Sequence, residues 1–171
     1  VALAAVGGYG RGELSPGSDL DILFLHNGRI DEKLLADLVN KILYPLWDQK
    51  IKIDHSVRTR SEVREALSDD LKVAMGLLDI RLICGSADLV ADIQSLALTT
   101  WREDNDRYLP ELEKTLEERY ERNGELAYLL EPDLKESRGG LRDITALRAM
   151  HISGALTLPM ERISQAESVL S

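Results

Sequence analysis

Two carboxylates, Asp19 and Asp21, stand two residues apart at the head of an apolar run over residues 19–25 (DLDILFL) that reads as a buried strand. On a strand such a pair leaves the same face, with Cα atoms on the order of 7 Å apart. Carboxylates so placed suit a hard cation such as Mg²⁺, which takes carboxylate, water and phosphate oxygens. Without a cation, their repulsion and desolvation would cost free energy. Upstream, a short apolar run over residues 3–6 ends in Gly7-Gly8, followed by Tyr9, Gly10 and Arg11. Glycines let the backbone turn sharply and bring N–H groups close to a ligand, and N–H groups at a helix's first turn favour phosphate. Arg11 adds a charge-assisted donor, so Gly7, Gly8, Tyr9, Gly10 and Arg11 are candidate nucleotide-binding residues.

A third acid lies on another strand-like segment, residues 51–57 (IKIDHSV), whose alternation puts Lys52, Asp54 and Ser56 on one face. Asp54 can join the metal site or accept the proton of an attacking hydroxyl. His55 turns the other way with Ile53 and Val57 and reads as a packed histidine. Competing glycine motifs fit worse. There is no Gly-Lys-Ser/Thr, so a P-loop is excluded. Glycines at 7, 8, 10 and 12 do not give G-x-G-x-x-G, and an Asp-x-Asp strand follows instead of a long helix, which disfavours a dinucleotide site.

The elements that must position these residues come from periodicity. From Asp31, the rows Leu34, Leu38, Ile42 and Leu35, Val39, Leu43 make one broad apolar helix stripe. Asp31 and Glu32 suit its N-terminus, and Pro45 is expected to end or kink it. Thr59-Arg60-Ser61-Glu62 is a capping box opening a short helix. Another helix starts at residues 68–70 and carries Leu71, Ala74, Met75 and Leu78 on one side; residues 82–84 suit a short edge strand before Gly85. From Ala87 onward the pattern is helical. Leu109, Leu112, Leu116 and Tyr120 mark one face, and Glu103/Arg107 and Glu118/Arg122 are exposed i,i+4 pairs. A break is expected near Pro132, a loop over residues 135–140, and a further helix from about Leu141. The fold class is α+β: a small mixed β-sheet core backed by helices over residues 1–100, then a helical extension over 101–171.

Composition narrows the function classes. The 171 residues are 44% apolar and 30% charged, enough for a core and a hydrated surface. Lys plus Arg is 21 against 30 for Asp plus Glu, a net charge of −9, which argues against sequence-independent nucleic-acid binding but allows a small phosphorylated ligand. The single cysteine, Cys84, excludes an internal disulfide and a multi-cysteine zinc site. Apolar runs fall far short of the roughly 20 residues that span a bilayer, and no signal-peptide pattern opens the chain, so a soluble cytoplasmic protein with no membrane partner is expected. The opening VALAAV starts mid-run without methionine, as a piece of a longer polypeptide would.

Gly7-Gly8 followed by Asp19-x-Asp21 resembles the signature of the DNA polymerase beta-like nucleotidyltransferase superfamily. The string GGYGRGELSPGSDLDILFL, with DHSVRT at 54–59 and EPDLKESRGGLRDI at 131–144, is similar to one branch: the bifunctional uridylyltransferase/uridylyl-removing enzymes of the nitrogen-regulatory PII protein. That resemblance implies Mg²⁺-dependent transfer of UMP from UTP to a tyrosine hydroxyl of PII. It implies Asp19 and Asp21 as metal ligands, Asp54 as the third catalytic carboxylate, and Ser18 with Gly7 and Gly8 in the triphosphate turn. Lys135, Arg138 and Arg142 form a cationic group around Gly139-Gly140, read as a second phosphate contact or an interdomain brace. Only three histidines occur and none precedes an Asp, so no HD-type uridylyl-removing centre is expected in this stretch. Alternatives stay open: ATP in place of UTP, adenylylation of PII or of glutamine synthetase, or a non-catalytic nucleotide-sensing or PII-docking module.

Overall fold

The computed structural model describes residues 1–14, 17–125, 130–131 and 133–170. The chain forms two compact units, Val1–Leu98 and Thr99–Ser171. The first contains β1 (Ala2–Ala5), α1 (Gly7–Arg11), β2 (Leu20–His26), α2 (Glu32–Asp48), β3 (Ile53–Thr59), α3 (Arg60–Asp69), α4 (Leu71–Leu78) and β4 (Arg81–Gly85), and most of α5 (Ala87–Glu103). The sheet order is β3-β2-β1-β4; β1 runs antiparallel to both neighbours, and β2 runs parallel to β3. The expected small mixed sheet backed by helices is thus the observed architecture.

Central β1 is apolar and buried along its whole length, as a strand between two neighbours and two faces must be. One face packs Leu3, Ile22 and Phe24 against Leu35, Val39 and Leu43 of α2. Only that row of the expected broad stripe is buried: Leu34 is 63% exposed and Leu38 37%, because a straight helix presents one row squarely to the sheet. Asp31 caps α2, accepting from the N–H groups of Lys33 (3.0 Å) and Leu34 (3.1 Å). Pro45 does not end this helix, which runs on to Asp48. A proline removes one N–H donor and crowds the carbonyl four residues before it, and the helix extends only three residues beyond Pro45. Lys50, at φ 61°, turns the chain away.

The Thr59–Glu62 capping box is present: the Thr59 N–H donates to Glu62 Oε2 at 2.6 Å, and the Glu62 N–H to Thr59 Oγ1 at 3.4 Å. Asp70 caps α4, which buries Leu71, Ala74 and Leu77 rather than the expected Met75 and Leu78. β4 is an edge strand, as expected.

The second unit holds the end of α5, α6 (Asn105–Asn123), α7 (Leu141–Ser153) and α8 (Met160–Leu170). Trp101 stacks on Tyr108 with centroids 4.6 Å apart, and its indole N–H donates to the Ala149 carbonyl at 2.8 Å. The buried face of α6 is Tyr108, Leu112 and Arg119. Leu109, Leu116 and Tyr120 instead line an open cleft with Met150 and Leu156. Glu118 pairs with Lys114 (3.9 Å), while Arg122 bonds the Glu118 backbone carbonyl and the Arg107 guanidinium lies over the Tyr108 ring, so the expected charge pairs are rearranged. The expected break at Pro132 lies outside the described residues. Among the described residues no helix is long and apolar enough to cross a membrane.

Candidate active site

Val6 continues β1, its N–H donating to the Asp21 carbonyl at 3.1 Å, and its own carbonyl accepts from Gly10 at 2.9 Å to open α1. The junction residue Gly7 sits at φ 55°, a left-handed conformation that favours glycine. The missing side chain matters as well: a Cβ at Gly7 would lie 3.1 Å from Asp21 Oδ2. The Asp21 carboxylate therefore rests against bare backbone at the head of α1. The α1 N–H groups ahead of Gly10 precede the first intrahelical bond and face out of the helix start.

Asp54 joins Asp21 through sheet register. Parallel pairing of β2 with β3 sets Asp21 opposite Asp54 and Ile22 opposite His55. Paired residues on neighbouring strands, about 4.8 Å apart, project to the same face, so the two carboxylates share one surface. His55 is on the opposite face, in edge contact with Trp47 (5.8 Å) and Phe24 (6.5 Å), but it is exposed and not packed as expected, because β3 is an edge strand and the residue sits at the rim of the core. Asp19 is exposed and lies one residue ahead of β2, with half-buried Ser18 just before it. Among the described residues no three His, Cys, Asp or Glu side chains gather closely enough to hold a metal. The three-acid ligand set expected from the sequence is therefore not assembled: Asp21 and Asp54 are in register, and Asp19 stands off the strand. A pair of carboxylates on one face still fits Mg²⁺, which takes one or two carboxylates and completes its shell with waters and substrate phosphates.

The remaining candidates of the glycine turn are each engaged within the first unit. Gly10 is buried, and a Cβ there would collide with the Asp79 carbonyl oxygen, so it serves close packing of α1 on the α4–β4 turn. Tyr9 packs beside the α2-facing core, with the Arg81 guanidinium 5.5 Å from its ring centroid. Arg11 commits Nε to Glu13 at 2.6 Å and Nη1 to Asp79 at 2.5 Å. Burial lowers its pKa, but bonding to Glu13 and the charge of Asp79 outweigh that and hold it above the usual arginine value. A guanidinium so compensated braces α1 more than it attracts phosphate. Arg81 and Asp79 escaped the sequence reading because no local pattern links them to a turn some seventy residues away.

In the second unit, residues 133–140 are folded tightly onto their own helices. Asp133 accepts from the N–H groups of Lys135 and Glu136, both at 2.9 Å, and these bonds hold its pKa below the usual carboxylate value. A Cβ at Gly140 would collide with the Leu134 carbonyl. Asp143 is the hub: it pairs with buried Arg119, accepts from the Tyr120 hydroxyl at 2.9 Å and from the Gly139 N–H at 2.6 Å. Of the expected cationic group, Arg142 bonds Glu136 at 2.5 Å, Arg138 lies over the Tyr120 ring at 5.1 Å, and Lys135 is exposed on the turn.

Comparison with known proteins matches both units. Residues 1–75, which carry Gly7, Asp19, Asp21 and Asp54, match the nucleotidyltransferase domain family, and residues 107–151 match the family described as GlnD PII-uridylyltransferase. A bifunctional uridylyltransferase/uridylyl-removing enzyme of Streptomyces coelicolor is 52% identical over 97% of this chain and 20% of the relative. Proteins with the same description from Mycobacterium tuberculosis (41% identical; 89% of this chain, 19% of the relative) and Vibrio parahaemolyticus (38%; 95% and 19%) match similarly. The chain spans about a fifth of the length of these relatives. With 52% identity over 97% of its length and family matches in both units, the chain belongs to the family of the bifunctional uridylyltransferase/uridylyl-removing enzymes.

Proposed function

We propose that this chain transfers UMP from UTP to a tyrosine hydroxyl of a PII-type regulatory protein in a Mg²⁺-dependent reaction. The observation that carries the reading is the register of Asp21 with Asp54, on one face, with the Asp21 carboxylate against Gly7. The names of the relatives support uridylyl transfer and, for residues 107–151, the PII target.

In this mechanism the outward N–H groups at the start of α1 receive the triphosphate. Mg²⁺ held by Asp21 with Asp19 or Asp54 would neutralise phosphate charge and polarise the α-phosphorus. Asp54, more exposed than Asp21, faces the incoming tyrosine and takes its hydroxyl proton. The tyrosine oxygen bonds to the α-phosphorus as the bond to pyrophosphate breaks. Positioning supplies most of the rate in such displacements.

The test is label transfer from α-labelled UTP or ATP to PII by the full chain, with Mg²⁺ or with chelator. Asp21→Asn should fold normally and lose transfer by roughly 10³-fold, the equivalent of several kcal/mol of lost charge stabilisation. Near-normal transfer by that variant overturns the assignment. A preference for ATP changes the transferred group to AMP, and metal-independent binding without transfer makes the chain a sensor.

A further inference from the structure

We propose that Arg81 is a positioning residue for nucleotidyl transfer, fixing the Asp21 carboxylate by clamping α1; the role rests on the reaction proposed above. Arg81 opens edge strand β4, opposite Ala5 of β1. Its Nε donates to the Gly10 carbonyl at 3.0 Å and its Nη2 to the Tyr9 carbonyl at 2.9 Å, while the guanidinium lies over the Tyr9 ring. A planar fork suits two neighbouring carbonyls, and a cation at a helix C-terminus complements the dipole there. Two residues earlier, Asp79 holds Arg11, and its carbonyl fills the space where Gly10 lacks a side chain. One short turn, residues 79–81, thus grips the C-terminal end of α1 from several sides.

The other end of α1 is Gly7, against Asp21 Oδ2. A five-residue helix is a single turn, too short to hold its own conformation, so its pose depends on what grips it. If Arg81 lets go, α1 pivots and Gly7 moves relative to the carboxylate it supports. A shift of about 1 Å at a reacting centre can cost about 10²-fold in rate. Arg81 is itself solvent-exposed, so its loss leaves no buried cavity, and the effect falls on the site more than on stability.

The experiment compares the wild-type full chain with Arg81→Met and Arg81→Lys, reading kcat and KM for UTP, the half-saturating Mg²⁺ concentration, and the thermal midpoint. Arg81→Met should lower kcat/KM roughly 10- to 100-fold, chiefly through kcat, and raise the Mg²⁺ requirement at an unchanged midpoint. Arg81→Lys keeps the charge but not the planar fork and should recover only a small part of the loss. An active wild type with unchanged kinetics in Arg81→Met overturns the positioning role alone. So does a loss of activity that only follows a lowered midpoint. An inert wild type overturns the reaction and this role together. If Arg81→Met fails to fold, Asp79→Asn replaces it: the same raised Mg²⁺ requirement supports the clamp, and unaltered kinetics overturn it.

Discussion

Replacing Asp143 by asparagine removes the charge at the centre of the second unit while keeping the shape of the side chain. In the native structure that carboxylate faces the Arg119 guanidinium, the Tyr120 hydroxyl and the Gly139 N–H. The side chains of Arg119 and Asp143 are only 6% and 17% exposed. Among the described residues Arg119 Nη1 already finds no hydrogen-bond partner, so loss of the carboxylate leaves the guanidinium poorly compensated. Breaking a buried pair by removing one partner costs about 3–5 kcal/mol, and the slight exposure of Asp143 favours the lower end. For a chain of this size, about 3 kcal/mol lowers the melting temperature by roughly 6–12 °C. Calorimetry reads the midpoint; amide exchange at Gly139 and along the first turn of α7 reads the local loss. The paired substitution Arg119→Met with Asp143→Leu should recover much of the stability, because it removes the stranded charge as well. A midpoint within about 2 °C of wild type, less than 1 kcal/mol of change, would refute the view that this pair organises the unit.

Gly10→Ala forces a methyl group into the Asp79 carbonyl and should destabilise the first unit by about 1–3 kcal/mol, seen as a lower denaturant midpoint at constant m-value. Thr59→Ala removes one half of the α3 capping box and should cost about 0.5–2 kcal/mol, read from the same denaturant curves. The Glu62 carboxyl, held below its usual pKa by the Thr59 N–H and hydroxyl, contributes stability above the ordinary glutamate range and loses it as pH falls through its depressed value. A carboxyl titration by NMR with a midpoint at or above that of a free glutamate side chain would contradict the box.

The arrangement of the site explains why one acid was harder to place than the others. The Asp19-x-Asp21 spacing and the glycine turn are close in sequence, and each carries its own geometric meaning. Asp54 reaches Asp21 only through α2 and a parallel pairing with a definite register, and a slip of one residue would set His55 beside Asp21 instead. Alternation within residues 51–57 correctly separated the faces of Asp54 and His55, but which strand they would meet is a property of the sheet.

What the sequence determined by itself was local: the strand periods, the acidic start of α2 at Asp31 and Glu32, the capping box at Thr59, the glycine turn, and the acids able to work with it. These signals are legible because backbone dihedrals and hydrogen bonds within a few residues enforce them. Tertiary structure alone decided which apolar row of α2 was buried, that α2 continued through Pro45, and that Asp19 stood off the strand. It also decided that Arg11 would be taken by Asp79, that Arg81 would hold the end of α1 some seventy residues before it, and that Asp143 would pair with Arg119 of α6. Ion pairs and close packing of this kind depend on which surfaces meet after the chain has collapsed, and a one-dimensional pattern does not encode that meeting.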